Sequence, residues 1–300
     1  MTRTLHISPL TNTSKSLLQR VWYVIMTLFL FTKSDIKTTL IPVGMFAIAS
    51  APLYSLNKLP GTLFWIWIHL LQFDTSNQIV GAEEDRTNKP DRPVPSERLT
   101  IINAIALRWA LIPACLIYSA LYSREVVHAS IALIVLTTIY NEFGAHACHW
   151  VIRNIVNAAG FASFEWGSTL TAGADPTQLT DVGVLAVCIS FGIFATTIQT
   201  QDFKDVEGDQ TINRKTLPII FPEGSRYTPI VTLLVWSIIL SFTWKLPAVV
   251  VAAFVGLAIF VGARFLFWRT RHNDQVSFYW YNVWLAAAHG LPGIWLLTCN

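Results

Sequence analysis

The sequence predicts an all-α integral membrane protein with nine transmembrane helices around a central cavity, and three observations carry that prediction. Of its 300 residues, 53% are hydrophobic and only 13% charged, whereas a soluble domain carries charge at about one residue in four. The apolar residues gather into nine long stretches, each near the roughly 20 residues that cross a bilayer core as a helix. Lys and Arg collect on one side of the membrane so drawn, as cytoplasmic loops require.

The elements follow in order. The first sixteen residues are polar and lack the basic stretch running into an apolar core that marks a signal peptide, so this start is expected to be retained and loosely ordered. Residues 21–31 are apolar but too short to span, and read as an interfacial helix between Arg20 and Lys33. Residues 1–35 thus form a polar start with an interfacial helix, and 36–300 a single transmembrane domain. Its spans are predicted at 36–53, 61–80, 99–122, 126–143, 150–173, 179–199, 227–242, 248–267 and 278–298. With the N-terminus inside, sixteen Lys and Arg fall on inner segments or, as Lys37 and Arg153, in the inner end of a span, and three, Lys58, Arg124 and Lys245, on outer loops; Arg108 and Arg264, also within spans, are the remaining two. A miscounted helix would invert every later loop and destroy this asymmetry. The net charge is only +3 and no basic run exceeds two residues, which excludes nucleic acid as a partner. Cys115, Cys148, Cys188 and Cys299 stand singly, without metal or disulfide spacing, and read as small core residues.

Acidic residues are scarce and concentrated. Of the 18, six lie within 74–97 and five within 202–223, on the same predicted side, each segment also holding three Lys or Arg. Long loops are polar on their own account, so the spacing decides. At about 100° per residue, Asn77, Gly81, Glu84, Asp85 and Asn88 share one helix face, while Glu83 points away; Asp202, Asp205 and Asp209 share another, with Glu207 off it. Two such stripes repel unless a cation lies between them. With no His or Cys alongside, the donors are all oxygen, which selects a hard ion, and Mg²⁺ prefers carboxylates combined with phosphate oxygens. Lys89, Arg92, Lys204, Arg214 and Lys215 suit the matching anion, a diphosphate. In a membrane, the remainder of that substrate is a long apolar tail, hence an isoprenyl diphosphate. Metal assistance to the departing diphosphate would leave an allylic cation, which aromatic faces can hold. Trp65, Trp67, Phe73, Trp166, Phe278, Tyr279, Trp280, Tyr281 and Trp284 are the candidates, each equally suited to an interfacial belt.

Asn77, Gly81 and Asp85, with Arg92-Pro93 downstream, resemble the first signature of the UbiA superfamily of intramembrane prenyltransferases, Asn-x-x-x-Asp-x-x-x-Asp followed by Arg-Pro. Asp205 and Asp209, followed by Thr216-Leu217-Pro218, are similar to the second, Asp-x-x-x-Asp. The resemblance extends from about Phe31 onward and implies nine helices with the motifs after the second and sixth. It implies that Asn77, Asp85, Asp205 and Asp209 hold Mg²⁺ and diphosphate, with Glu84 and Asp202 completing the metal set. Lys33, Lys89, Arg92, Arg153, Lys204 and Lys215 are the expected diphosphate-binding residues. The sequence departs from the pattern where the first Asp is Gly81, a common Lys is Gln201, and a frequent later Tyr and Lys appear as Tyr140 and His146. Glu84, on the face of the missing Asp, can compensate for it.

Glu83-Glu84-Asp85-Arg86, with Phe31-Thr32-Lys33-Ser34-Asp35 ahead of the first span, resembles the fungal UbiA-type terpene cyclases of the bergamotene and cyathane kind. The implied activity is a Mg²⁺-dependent cyclase acting on geranylgeranyl diphosphate, or the shorter farnesyl diphosphate. The alternative is a prenyltransferase that joins the same donor to an aromatic or lipid acceptor. A transporter or lipid-binding bundle would also place polar sites at span ends, but needs neither paired Asp motifs nor Arg-Pro. The endoplasmic reticulum or another internal membrane is the expected location.

Ionisable residues inside spans are functional candidates, here Arg108, Glu142, His146, His149, Glu165 and His289. Arg108 and Arg264 are expected to pair with Glu142 or Glu165. Glu142 and His146, four apart on one helical face and near Arg153 and Asn157, are candidates for taking the final proton of a cation cascade.

Overall fold

The computed structural model describes residues 16–51, 55–211 and 213–299. The expectation for the polar start therefore falls, apart from Ser16, outside the described residues, as does the side chain of Cys299. The first helix, α1 (Leu17–Thr32), is opened by a capping box in which Ser16 and Gln19 satisfy each other's backbone N–H groups. Its Leu17, Leu18, Trp22 and Ile25 are exposed, as the interfacial reading requires. A π-helical turn, Ile36–Leu40, leads into α2 (Ile41–Ser50), whose second residue is proline and brings no N–H to bond backwards. Then follow α3 (Leu59–Val80) and the short α4 (Ala82–Asn88), separated by Gly81. Next come α5 (Ile101–Ala120), α6 (Arg124–Asn141) and α7 (Trp150–Ala172). Side-chain caps from Thr100 and Ser123 start α5 and α6, and Thr180 starts α8 (Asp181–Thr197). That helix tightens into a 3₁₀ segment, Ile198–Lys204, followed by α9 (Val206–Thr211) and α10 (Leu217–Ile220). Finally, α11 (Thr228–Thr243), α12 (Ala248–Phe267) and α13 (Arg271–Cys299) complete the bundle.

No strand forms among the described residues, and each of the nine apolar stretches drawn from the sequence corresponds to a helix. The largest boundary error is at α13, which begins seven residues before the predicted 278. Its first two turns are polar, and Arg226 pairs there with the buried Asp274. Four segments, Ile101–Ala120, Asp181–Lys204, Gly224–Thr243 and Ala248–Phe267, are long and apolar enough to cross a membrane by length and composition. Other helices of the bundle turn polar groups inward: His69 and Asp74 on α3, Arg153 and Glu165 on α7, and Asp274 and His289 on α13 are all buried. The nine-span count therefore rests on the charge pattern, not on helix lengths.

The helices pack as a closed circuit. α3 lies on α5, α5 on α6, α6 on α7, α7 on α8, α8 on α11, α11 on α12, α12 on α13, α13 on α2 and α2 back on α3. α7 also touches α2 and α3 across the middle. The outer faces expose large apolar side chains such as Trp109 and Ile117 on α5, Val231 and Val235 on α11 and Ile259 on α12. Exposed apolar surface on this scale needs a nonaqueous neighbour, which the bilayer provides.

Close helix approach uses small residues at specific points. At Gly262 a Cβ atom would stand 2.5 Å from the Ile230 backbone of α11, whereas at Gly256 on the same helix it would meet open space. Gly262→Val is therefore expected to cost about 1–3 kcal/mol through overpacking and to lower the thermal midpoint in detergent, and Gly256→Val to leave it nearly unchanged. Equal midpoints for the two variants would refute this packing.

Candidate active site at the mouth of a buried cavity

A cavity of about 510 Å³ occupies the middle of the circuit, within the range typical of small-molecule sites. Side chains from the π-helical turn and from α3, α6, α7, α8 and α13 line it, together with the loops that carry both acidic motifs. One end is charged. There Asp35, Glu84, Asp85, Lys89, Arg92, Lys204, Asp205 and Arg214 meet. The other end is apolar and aromatic, with Leu70, Phe73, Leu133, Phe161, Phe164 and Phe194.

The first motif turns Asn77, Gly81, Glu84 and Asp85 to the same cavity, as expected, although the helix is interrupted within it. α3 ends at Val80, where the Gly81 N–H still bonds to the Asn77 carbonyl at 2.8 Å, and α4 begins at Ala82, with the Asp85 N–H bonded back to the Gly81 carbonyl at 2.9 Å. Asn77 therefore faces the cavity from α3, with Nδ2 donating to Asn141 at 3.2 Å, while Glu84 and Asp85 reach it from α4. Glu83, exposed and paired with Arg86 at 2.7 Å, stays at the rim. Arg92 donates to Asp85 at 2.8 Å and lies 3.8 Å from Asp35, so the Arg-Pro element folds back onto its own motif.

The second motif corrects the expectation of one acidic stripe. Because the backbone is 3₁₀ up to Lys204 and breaks at Asp205 before α9, the three aspartates diverge. Asp202 is fully buried and accepts two parallel bonds from Arg153, at 2.7 and 2.6 Å. Asp205 faces the cavity beside its ion-pair partner Lys204. Asp209 is held by Arg214 at 2.6 Å, and Arg214 reaches on to Glu84 at 3.2 Å, joining the two motifs. Glu207 points away to Arg271, as expected.

Electrostatics at the mouth favour an anion. Burial lowers the Lys89 ammonium from its ordinary value, and Arg92 and Lys204 nearby push it further down. Burial alone would raise the Asp205 carboxyl, but Lys204 and Lys89 hold it below the usual range. Burial lifts Asp209 to about 6 against the pull of Arg214. Three neighbouring cations that disfavour one another form a seat that a multivalent anion would stabilise.

Of the predicted site residues, Asn77, Glu84, Asp85, Lys89, Arg92, Arg153, Lys204 and Asp205 line this one cavity. Asp202 and Asp209 sit behind it, each turned to an arginine that does line it. Lys33 does not join them, because it ends α1 on the exposed side and pairs with Asp91 at 3.2 Å. Lys215 is exposed and also outside the lining. Among the described residues, no three His, Cys, Asp or Glu already converge as a metal site. The donor chemistry nonetheless fits a hard cation: Asn77, Glu84, Asp85 and Asp205 offer only oxygen, and buried Asp209 Oδ2 lacks a hydrogen-bond partner.

Of the aromatic candidates, Phe73, Phe278, Tyr279 and Tyr281 line the cavity. Trp65 and Trp284 are instead core residues bonded to Ser119 and Ser237, Trp67 bonds to Thr32, and Trp166 and Trp280 are partly exposed on the outside. Arg108 pairs with Glu142 at 3.2 Å as expected, while Arg264 lies over Phe260 and Trp268 and Glu165 pairs with His289. Glu142 and His146 do not share a face: α6 ends at Asn141 and the chain reverses at Gly144, whose φ of 76° suits glycine. His146 remains in the cavity wall and Glu142 leaves it for Arg108 and Ser76. Sequence reasoning passed over Asp74 as a site residue; it is buried in the wall one turn below Asn77, with Oδ2 unpartnered. It also passed over the stacked pair Phe161 and Phe194, with ring centroids 3.9 Å apart.

The buried Arg153–Asp202 pair yields a test of what each carboxylate does. Removing one partner of a buried pair strands the other charge, at about 3–5 kcal/mol, whereas replacing both by apolar residues is far milder. Asp202→Leu is therefore expected to lose much of its thermal stability in detergent, and Arg153→Leu/Asp202→Leu to regain most of it. A double variant no more stable than Asp202→Leu would contradict a structural role for this pair.

Comparison with known proteins supplies the frame for this geometry. The UbiA prenyltransferase family profile matches residues 39–286. The fumagillin beta-trans-bergamotene synthase of Aspergillus fumigatus is 33% identical over 89% of this chain and 91% of its own length. A diterpene cyclase of Hericium erinaceus is 33% identical over 66% of this chain and 65% of its own length. The fold matches a UbiA homologue from Archaeoglobus fulgidus solved with GPP and Mg²⁺, with a TM-score of 0.64 at 15% identity, over 88% of this chain and 98% of that one. The chain belongs to the UbiA prenyltransferase family of integral membrane enzymes that use isoprenoid diphosphates, with terpene cyclases among its relatives.

Proposed function

We propose that this protein is a Mg²⁺-dependent intramembrane terpene cyclase that ionises an isoprenyl diphosphate to a cyclic hydrocarbon and diphosphate. Geranylgeranyl diphosphate is the favoured substrate and farnesyl diphosphate the shorter alternative. The observation that carries the reading is one cavity with a charged mouth continuous with an aromatic, apolar interior. Two relatives at 33% identity, a bergamotene synthase and a diterpene cyclase, support cyclisation.

The charge balance of the mouth supports a metal. Six acidic and six basic side chains line the cavity, so a diphosphate entering it needs added positive charge. Asn77, Glu84, Asp85 and Asp205, with Asp209 behind them, would hold Mg²⁺. When bound, Mg²⁺ supplies Lewis-acid neutralisation of the departing diphosphate. Lys89, Arg92, Lys204 and Arg214 hold the diphosphate oxygens, and Arg153 steadies the wall beside them through Asp202. The C–O bond to the tail breaks, its electron pair leaves with the diphosphate, and an allylic cation remains. Phe73, Phe278 and Tyr281 offer ring faces to that cation, and the apolar lining keeps water from capturing it. The chain's own double bonds then attack, and loss of a proton yields the hydrocarbon. On this reading the mouth faces the cytoplasm across nine spans, in a single domain over 36–300, in the endoplasmic reticulum or another internal membrane; the asymmetry of Lys and Arg supports the orientation.

Membranes carrying the protein, given geranylgeranyl or farnesyl diphosphate with Mg²⁺ and no acceptor, are expected to produce a new cyclic hydrocarbon by gas chromatography with mass detection. The product should vanish with a chelator. Asp205→Asn should fall at least about 100-fold in turnover while keeping its thermal midpoint. Intact diphosphate in both reactions would refute the cyclase and favour a prenyltransferase awaiting its acceptor.

A further inference from the structure

The deep end of the cavity has a feature that the diphosphate chemistry does not use. Phe161 on α7, Phe194 on α8 and Leu285 on α13 form its floor, with the two phenyl rings stacked at 9°. Four residues further from the mouth on the same three helices stand Glu165, Ser190 and His289. Each therefore lies one helical turn beneath its floor residue. The three are fully buried and bonded to one another. The Ser190 hydroxyl lies 2.7 Å from a Glu165 carboxyl oxygen and 3.1 Å from His289 Nε2, and Glu165 and His289 are 3.4 Å apart. His289 Nδ1 faces the Pro42 carbonyl of α2 at 3.4 Å.

This layer is linked to the floor through rings. The His289 imidazole packs against Phe194 with centroids 5.8 Å apart and meets Phe46 edge-on at 5.2 Å. Phe194 thus stands between the imidazole and the cavity, so neither His289 nor Glu165 reaches a bound tail. An apolar trio would join α7, α8 and α13 without burying a carboxyl group, one of whose oxygens, Glu165 Oε2, has no hydrogen-bond partner. What a bonded trio adds over an apolar one is a single arrangement of the helices that carry the floor.

We propose that Glu165, Ser190 and His289 are a positioning triad that locks the Phe161 and Phe194 floor and thereby sets how the prenyl tail folds and which tail length fits. The choice of product rests on the cyclase reading above; the tail-length preference holds for any enzyme using this cavity. A floor that shifts lets the tail adopt several folds before ionisation, and competing cations then give mixed products.

The test uses the full chain in detergent, as wild type, Ser190→Ala, Glu165→Gln, Glu165→Leu/His289→Leu and Phe161→Ala, with a thermal midpoint for each. One readout is the hydrocarbon distribution from geranylgeranyl diphosphate. The other is competition for binding among farnesyl, geranylgeranyl and the longer geranylfarnesyl diphosphate, which requires no cyclisation. Ser190→Ala and the double variant should raise minor hydrocarbons relative to the main one by about 10-fold and relax tail preference toward the longer donor, with diphosphate release within about threefold of wild type. Phe161→Ala should move both readouts the same way. Glu165→Gln keeps an oxygen for the Ser190 hydroxyl and should retain the wild-type pattern. Folded Ser190→Ala and double variants with lower midpoints but unchanged products and tail preference would overturn the proposal, reducing the triad to structure. If the double variant does not fold, Ser190→Ala decides. If wild type yields no hydrocarbon, the cyclase reading fails and the competition arm alone judges the triad.

Discussion

Charges inside a membrane protein persist only where a partner or a ligand compensates them, and the architecture at the cavity mouth follows from that constraint. Three arginines satisfy it, each from a different element. Arg92 folds back onto Asp85, Arg153 clasps Asp202 from α7, and Arg214 bridges Asp209 and Glu84. The pairing holds the acidic loops against the helices while leaving Asn77, Asp205 and Lys89 turned toward the space where a diphosphate would enter. The degenerate first motif becomes intelligible here. With no carboxylate at position 81, it is Glu84, on α4, that reaches across to Arg214.

Much of the fold was legible because its determinants are local and periodic. Apolar stretches marked the helices, with a boundary error of seven residues at the start of α13, and the residues flanking 248–267 delimited α12 without error. Both acidic segments were found from composition and spacing, since in an apolar chain every carboxylate needs a reason. What failed was the continuity of helical geometry through the second. The backbone is interrupted at Asp205, so Asp202 turns to Arg153 instead of standing in line with Asp209, whereas Asn77, Gly81, Glu84 and Asp85 still line one cavity across Gly81. Glu142 and His146 were separated for the same reason, by the reversal at Gly144.

The cavity wall was less legible than its mouth. Phe194 lies in a stretch where nearly every residue is apolar and Phe161 among small apolar neighbours, so nothing local separates a ring that lines a cavity from one that meets lipid. Trp65 and Trp284 drew attention by size, yet each is a packing residue with its indole N–H satisfied by a serine. Asp74 was counted among the acids but not singled out, because the charged groups beside it, Asp35 and Arg92, come from other segments of the chain. Lys33 was misplaced by a different route: its neighbours in sequence lie at the mouth, but its own side chain leaves the end of α1 toward solvent.

The closure of the circuit between α2 and α13 also bears on how the protein is made. His289 meets the Pro42 carbonyl across 247 residues of chain, and α13 supplies Phe278, Tyr281 and Leu285 to the cavity wall. During synthesis α2 is inserted early, and the part of it that packs on α13 stays uncovered until that final helix of the circuit arrives. Contacts so distant in sequence form late and slowly, and an uncovered inward face is the surface on which a half-made membrane protein goes astray. The cavity is thus closed only when α13 docks, so a nascent chain held before that step lacks one of its walls.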